Sequence, residues 1–335
     1  MKGGAPGELL LSVEGLTVEY GGNGSGNVAV DGVSFDIRRG EVLGVVGESG
    51  CGKSTLAMAI PRLLPEPPAS VSAKSINFLG RELAGAERET LVPLRGGRIG
   101  VVFQEPMTAL SPLHRVGDQI EEAFLLHGDG VSRRQARAVA LDWLGKVGIA
   151  DPARTALAFP HELSGGMQQR VMIAMALVND PDLVIADEPT TALDVTTQAQ
   201  VLDLMARLIG RNSALLLITH DMGVVRKMAT RVAVMYAGRI AETASCADLF
   251  ANPSHPYTRA LLSSMPALRT RGSRLPVIEG FVPTLAECAA MPGCRFLPRC
   301  PRRASCDGCD IPRFFADEGG PHMVRCGRAS GEAPR

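Results

Sequence analysis

The stretch GESGCGKS (Gly47–Ser54) constrains the fold more than any other part of the chain, because a loop with this glycine spacing works only between a strand and a helix. Before it, GEVLGVV is a short apolar run; after it, TLAMAIPRLL reads as a helix. Glycines at 47, 50 and 52 let the backbone curl until its N–H groups converge on one point, and the positive end of the following helix favours an anion there. The spacing predicts a cradle for the phosphates of a nucleoside triphosphate, formed by Gly47, Glu48, Ser49, Gly50, Cys51, Gly52, Lys53, Ser54 and Thr55. Lys53 is expected to bridge the terminal phosphates, Ser54 to ligate Mg2+, and Thr55 to reach an inner phosphate. Cys51 stands where such loops tolerate many residues and is read as a passenger. A chance match is the bland alternative, and the strand–turn–helix setting argues against it.

Three further apolar runs end in reactive groups. GRIGVVFQEP stops at Gln104, PDLVIADEP runs into Asp187 and Glu188, and SALLLITHD runs into His220. Runs of Val, Ile and Leu without alternation suit strands covered on both faces, hence a parallel sheet between helices. Ligands bind beyond the carboxyl ends of such strands. Asp187 is expected to hold the metal's water shell, Glu188 to polarise an attacking water, Gln104 to offer its amide oxygen to metal or water, and His220 to donate to the γ-phosphate. Taken singly, each has an ordinary reading: a helix cap, a structural histidine, a polar strand exit. Together with the loop they predict hydrolysis of MgATP.

Bulk properties exclude other classes. Lys plus Arg and Asp plus Glu number 35 each, so no net field points at nucleic acid. The longest apolar runs, such as VMIAMALV, fall short of the roughly 20 residues that span a bilayer. MKGGAPGELLLSVEG lacks the apolar core of a signal peptide. The expectation is a cytosolic protein that docks on something embedded.

LSGGMQQRVMIAMAL (Leu163–Leu177) is the most specific signal. Ser164, Gly165 and Gly166 precede a helix with no bulky side chain, a second bare N-terminus suited to a second anion. One triphosphate already surrounded by Gly47–Thr55 does not need both ends from one chain, so this one is expected to close over a nucleotide held by a partner. With the phosphate loop, FQEP, LVIADEP, TALD (Thr191–Asp194) and ITHD in this order over roughly residues 10 to 245, the chain resembles the ATP-binding subunit of an ABC transporter. NPSHPYTRALLSSMP and the cysteine-bearing tail resemble the C-terminal extension of ATPases serving dipeptide and oligopeptide importers, a group that includes nickel and some sugar importers. The resemblance implies an α/β P-loop cassette over residues 1–250, with a parallel-sheet core, an antiparallel β subdomain and a helical subdomain at about 106–162, followed by an extension at 251–335. It implies an ATP-hydrolysing motor on the cytoplasmic face of the cell membrane. Its partners would be a second, related ATPase chain, two integral permeases and, indirectly, an extracytoplasmic binding protein, with no nucleic acid. It places Tyr20 against adenine, Asp194 at the dimer seam, and a cytoplasmic helix of the permease against Pro106–Leu113. The alternative whole-protein reading is a soluble ABC ATPase acting on ribosomes or DNA. A nucleotide-binding subunit without turnover is a third, opposed by the presence of Lys53, Asp187, Glu188 and His220.

Six cysteines (288, 294, 300, 306, 309 and 326) crowd the last fifty residues or so. Beside a cytosolic ATP site a disulfide framework is the weaker reading, and a liganded metal or cluster the stronger. Only Cys306–Cys309 has C-x-x-C spacing, whereas Cys288, Cys294, Cys300 and Cys306 recur every six residues. Relatives with similar tails imply a 4Fe–4S cluster on Cys294, Cys300, Cys306 and Cys326. Cys309 could replace Cys306, and Cys288 would be spare. Zn2+ and unliganded thiols remain alternatives. In each case the expected role is to hold a short, proline-rich appendage together.

Overall fold

The computed structural model describes residues 7–21, 26–128, 130–191, 193–210, 212–265, 277–291, 293–306, 314–316 and 322–326. They fall into two compact units. The first comprises residues up to Leu10, Ile37–Glu41 and Ala86–Ile218; the second comprises Leu11–Asp36, Val42–Gly85 and the chain from Thr219 onward.

In the first unit three parallel strands, Ile99–Val102, Leu183–Asp187 and Ala214–Thr219, pair in register with Val102 beside Ala186 and Asp187 beside Ile218. Every residue of the latter two is buried, as unalternated apolar runs require. Asp182, just ahead of the middle strand, is buried between Arg39 at 2.9 Å and Arg98, which fixes the strand's entry. The predicted helical stretch is present as Pro106–Ala109, Val116–Leu125, Arg133–Lys146 and Pro152–Ala156, closed by a 3-10 turn at Pro160–Glu162. Helix Arg133–Lys146 begins at a capping box in which Ser132 and Gln135 satisfy each other's backbone, and it buries Ala136, Ala140 and Leu144 along one face. Pro106–Ala109, Val116–Leu125 and Arg133–Lys146 pack on Gly165–Leu177, and the latter two pack on each other and on Pro152–Ala156.

The second unit holds an antiparallel sheet in the order Val28–Arg38, Leu9–Tyr20, Ser75–Phe78, Arg81–Glu82, with Ala69–Ser72 also paired to Leu9–Tyr20. Leu11 and Val13 are buried, and so are Leu16 and Val18; the parity changes across Gly15, whose φ is +61°. A second set of strands runs Val42–Val46 parallel to Arg231–Tyr236, then antiparallel to Arg239–Ser245, Met323–Arg325 and Phe314–Ala316. The last two come from the C-terminal extension and lengthen this sheet. Tyr257, Leu262, Cys288 and Phe296 of the extension share one core with Val46, Val232 and Val234. These described residues of the extension thus pack into the same core as strands Val42–Val46 and Arg231–Tyr236. Most of the glycine-rich hairpin expected after Tyr20 lies outside the described residues.

Candidate functional site

The phosphate loop leaves strand Val42–Val46 and enters helix Lys53–Ala59 as predicted. A Cβ at Gly47 would lie 2.1 Å from the Met235 carbonyl oxygen and 2.8 Å from Cys51 Sγ, and one at Gly52 would lie 2.3 Å from the Ala29 carbonyl oxygen. Gly52 also takes φ +102°, which a residue with a side chain rarely adopts. These glycines are required by the backbone packed behind the loop. Lys53 is buried and donates to the Gly47 and Glu48 carbonyls at 2.8 and 3.0 Å, so its ammonium is drawn into the loop. Cys51 is buried, its carbonyl accepts from the Gly238 amide at 2.8 Å, and burial pushes its thiol pKa up. Ser49 and Gly50 are exposed, while Ser54 and Thr55 lie in the first turn of the helix.

Glu48, within the loop, also engages the C-terminal extension. Its backbone N–H donates to the Tyr257 hydroxyl at 2.9 Å, and its carboxylate accepts two hydrogen bonds from Arg299, at 2.7 and 3.0 Å. It faces the C-terminal extension with both groups. No sequence signal pairs these residues, since Tyr257 and Arg299 lie 209 and 251 positions away.

Within the first unit, Val102 and Ala186 are register partners, so Gln104 and Glu188, each two residues further on, leave the same sheet edge. Gln104 is exposed, Asp187 is buried and Glu188 is half-buried. The Glu188 amide donates to the Ile218 carbonyl at 2.9 Å, and its carboxylate accepts from the Thr191 hydroxyl at 2.8 Å. Thr191 is a contributor that the sequence reading did not single out; its place three residues after Glu188 was the available hint. Asp194 caps helix Val195–Leu208, accepting from the Thr196 and Thr197 amides at 3.1 and 3.0 Å. The Thr197 hydroxyl, also bound to it at 2.7 Å, is the main cause holding its carboxyl pKa below the usual range.

Ser164 is the N-cap of helix Gly165–Leu177 and makes no side-chain cap bond; Ser164 and Gly165 are exposed. Nothing lies within 4 Å of a Cβ built on Gly165, whereas one on Gly166 would meet Thr197 Cγ2 at 3.1 Å. This helix start is bare, as the sequence predicts. Its buried Gln169 donates to the Pro189 carbonyl at 2.7 Å, tying the helix to the residue after Glu188.

In the second unit, His220 is exposed just beyond strand Ala214–Thr219. Tyr20 is half-buried at the end of its strand, paired with Ala69, with its amide bound to the Asn27 carbonyl at 3.0 Å.

Cys294, Cys300 and Cys326 are near enough for their charges to influence one another, and burial pushes the Cys294 and Cys300 thiol pKa values up. Cys306 is disulfide-bonded and so presents no thiolate beside them. Cys309 lies outside the described residues. Among the described residues no group of three His, Cys, Asp or Glu is disposed to hold a metal ion. Among the described residues the cysteines as placed do not assemble a four-thiolate set. Cys288 is buried in the apolar core.

Comparison with known proteins agrees with the motifs. A family model described as ABC transporter matches residues 30–191, and one described as oligopeptide/dipeptide transporter, C-terminal region, matches residues 241–306. The chain is 53% identical to a probable peptide ABC transporter ATP-binding protein of Sinorhizobium fredii, over 88% of each chain. It is 47% identical to the dipeptide transport ATP-binding protein DppD of Bacillus subtilis, again over 88% of each. The oligopeptide transport ATP-binding protein OppD of Mycobacterium tuberculosis is 50% identical over 87% of this chain and 47% of its own length. Among solved structures, a dimeric ATP-binding cassette in a post-hydrolysis state with ADP and phosphate superposes with TM-score 0.63 at 28% identity, covering 71% of this chain and 99% of that one. The CbiO1 subunit from Clostridium perfringens gives 0.61 at 28% identity, covering 73% and 92%.

Proposed function

Because this chain belongs to the ATP-binding proteins of dipeptide and oligopeptide ABC transporters, we propose that it is the ATP-hydrolysing motor of a peptide importer. It works on the cytoplasmic face of the membrane, pairs with a second, related ATPase chain, and drives two permeases fed by an extracytoplasmic binding protein. Among the described residues no helix is long and apolar enough to cross a membrane, so translocation itself belongs to other subunits. One observation carries the reading: each compact unit contributes a bare, glycine-bearing helix start, one at Gly47–Lys53 and one at Ser164–Gly166. A chain closing on a copy or a relative would put the second start over the other's triphosphate.

Gly47–Thr55 would hold the phosphates, with Lys53 shifting from its own carbonyls to the terminal oxygens, and Tyr20 would stack on adenine. The Ser54 hydroxyl, Gln104 amide oxygen and Asp187 carboxylate are hard oxygen donors, the set that suits Mg2+. Bound there, Mg2+ would neutralise charge between the phosphates. Glu188, oriented by Thr191, would polarise the attacking water, and His220 would donate to the γ-phosphate as charge develops. Asp194 would lie at the seam with the partner, where its cap fixes helix Val195–Leu208.

Docking on a permease is supported near Gln104. Phe103, Met107 and Leu113 are exposed, and Leu113 is 81% accessible. The loop is held in shape by Gln119, which accepts from the Ser111 amide at 2.8 Å and donates to the Ser111 and His114 carbonyls at 3.0 Å each. Movement of Gln104 on nucleotide binding would thus be passed to an apolar docking surface.

ATP-dependent uptake of a labelled dipeptide by proteoliposomes carrying both ATPases and both permeases tests this function. Failure of the assembled complex to hydrolyse ATP overturns it. For the tail, a 4Fe–4S cluster on Cys294, Cys300, Cys306 and Cys326 would require Cys306 to be released from its disulfide, or Cys309 to take its place. Iron and sulfide in anaerobically purified protein, lost in Cys300→Ser, would support it; stoichiometric zinc without iron would assign zinc.

A further inference from the structure

A carboxylate inside a loop built to receive phosphates is an electrostatic liability, and Glu48 sits one residue into that loop. The structure neutralises it from the C-terminal extension. Arg299, whose side chain is 5% exposed, meets both Glu48 carboxylate oxygens in a fork, at 2.7 and 3.0 Å. Its remaining donor capacity is committed nearby: Nε reaches the Glu279 carbonyl at 2.9 Å, Nη2 the Ile278 carbonyl at 3.2 Å and Nη1 the Tyr236 hydroxyl at 3.3 Å. The guanidinium is therefore fixed in orientation before it meets Glu48. The Tyr257 hydroxyl accepts the Glu48 amide at 2.9 Å, and the Tyr257 ring packs on Tyr236 and Phe296 with centroids 4.6 and 5.4 Å away. Side chain and backbone of one loop residue are thus both gripped by residues that lie beyond position 250.

We infer that Arg299 and Tyr257 are positioning residues for the phosphate loop, holding the Glu48 carboxylate and amide turned away from the cradle so that the extension sets the affinity for ATP. The inference rests on the proposed reading that Gly47–Thr55 binds ATP. Its physical content is preorganisation together with charge neutralisation. Without Arg299 the carboxylate is unpaired beside the site where a triphosphate must settle, and it opposes that anion.

The test is MgATP binding to the full chain by calorimetry, with the ATPase KM and kcat of the assembled transporter measured alongside. Arg299→Gln should weaken ATP binding about tenfold, the scale of one charge-assisted contact, and should raise KM more than it lowers kcat. Tyr257→Phe, which removes one oxygen and keeps the buried ring, should weaken binding a few-fold. The deciding variant is Glu48→Gln combined with Arg299→Gln: removing the carboxylate should restore affinity to within about twofold of wild type. A double variant as weak as Arg299→Gln alone overturns the inference, because Arg299 would then serve only to fold the tail. Unchanged affinity in both single variants overturns it too. If Arg299→Gln does not fold, Arg299→Lys is measured with and without Glu48→Gln, and the same comparison decides. A wild-type chain that binds no MgATP refutes the underlying ATP reading, an outcome distinct from the others.

Discussion

Thr191 donates its hydroxyl to the Glu188 carboxylate at 2.8 Å, across a turn in which Glu188 holds φ at +45°. A residue other than glycine in that region is strained by on the order of 1–2 kcal/mol, and it persists only where the surroundings enforce it. Here the Glu188 amide is fixed to Ile218 and its side chain to Thr191, so the carboxylate is aimed with little freedom. Glu188→Gln should keep ATP binding and lose roughly 100-fold or more in steady-state hydrolysis, because the carboxylate proposed to polarise the attacking water is gone while the loop is intact. Thr191→Val should lower kcat by about tenfold with KM nearly unchanged, the cost of one hydrogen bond to a charged group. Phosphate release by the assembled complex measures both.

Gly47 and Gly165 should respond oppositely to the same change. Gly47→Ala would place a methyl 2.1 Å from a backbone carbonyl oxygen, which cannot swing aside. Loss of at least ~3 kcal/mol of stability and of nucleotide binding is expected. Gly165→Ala meets nothing within 4 Å, and thermal melts should differ from wild type by no more than a degree or two.

Gly165→Asp separates the two nucleotide contacts. A carboxylate added at the exposed start of helix Gly165–Leu177 should leave the fold and the chain's own ATP affinity unchanged, yet repel a triphosphate presented by a partner. In the Glu188→Gln background, ATP-dependent association seen by analytical ultracentrifugation should be lost, whereas Gly165→Ala should retain it.

Acid should loosen the second unit through His255. Its Nδ1 accepts the Tyr257 amide at 3.0 Å and caps helix Pro256–Ser263, so the neutral ring carries its proton on Nε2. Burial pushes its pKa down from 6.5 to about 4, against the opposing pull of Glu242. Between about pH 6.5 and 4 the unfolded chain binds a proton that the folded one refuses, so stability is full above this window and falls as pH drops through it. The decline is up to about 3 kcal/mol. His255→Asn retains a capping acceptor without titrating. Urea midpoints at pH 7 and pH 4.5 should therefore differ less for the variant than for wild type.

Much of this was legible from short-range pattern. Apolar runs without alternation marked the parallel strands, and the residue ending each run marked the sheet edge, because strand direction and burial are local properties. The bare start at Ser164 followed from the absence of bulky side chains. What escaped depended on distant pairing. Arg299 and Tyr257 reach Glu48 across more than two hundred positions, and no periodicity encodes that. Cys51 looked incidental because the motif tolerates variation there, while its burial is set by the strand packed behind it. The way Tyr257 and Phe296 join the core that Val46 and Val234 begin is likewise a matter of distant pairing.

Gln169 ties two stretches of the first unit together. Its buried amide joins the helix that begins at Ser164 to Pro189, the neighbour of Glu188. In a head-to-tail pair, Ser164 would read the occupant of the opposite chain while Glu188 acts on the occupant of its own. A single side chain would then make the two ATP molecules aware of one another, and firing on one side would be felt on the other without any message passing through the permeases.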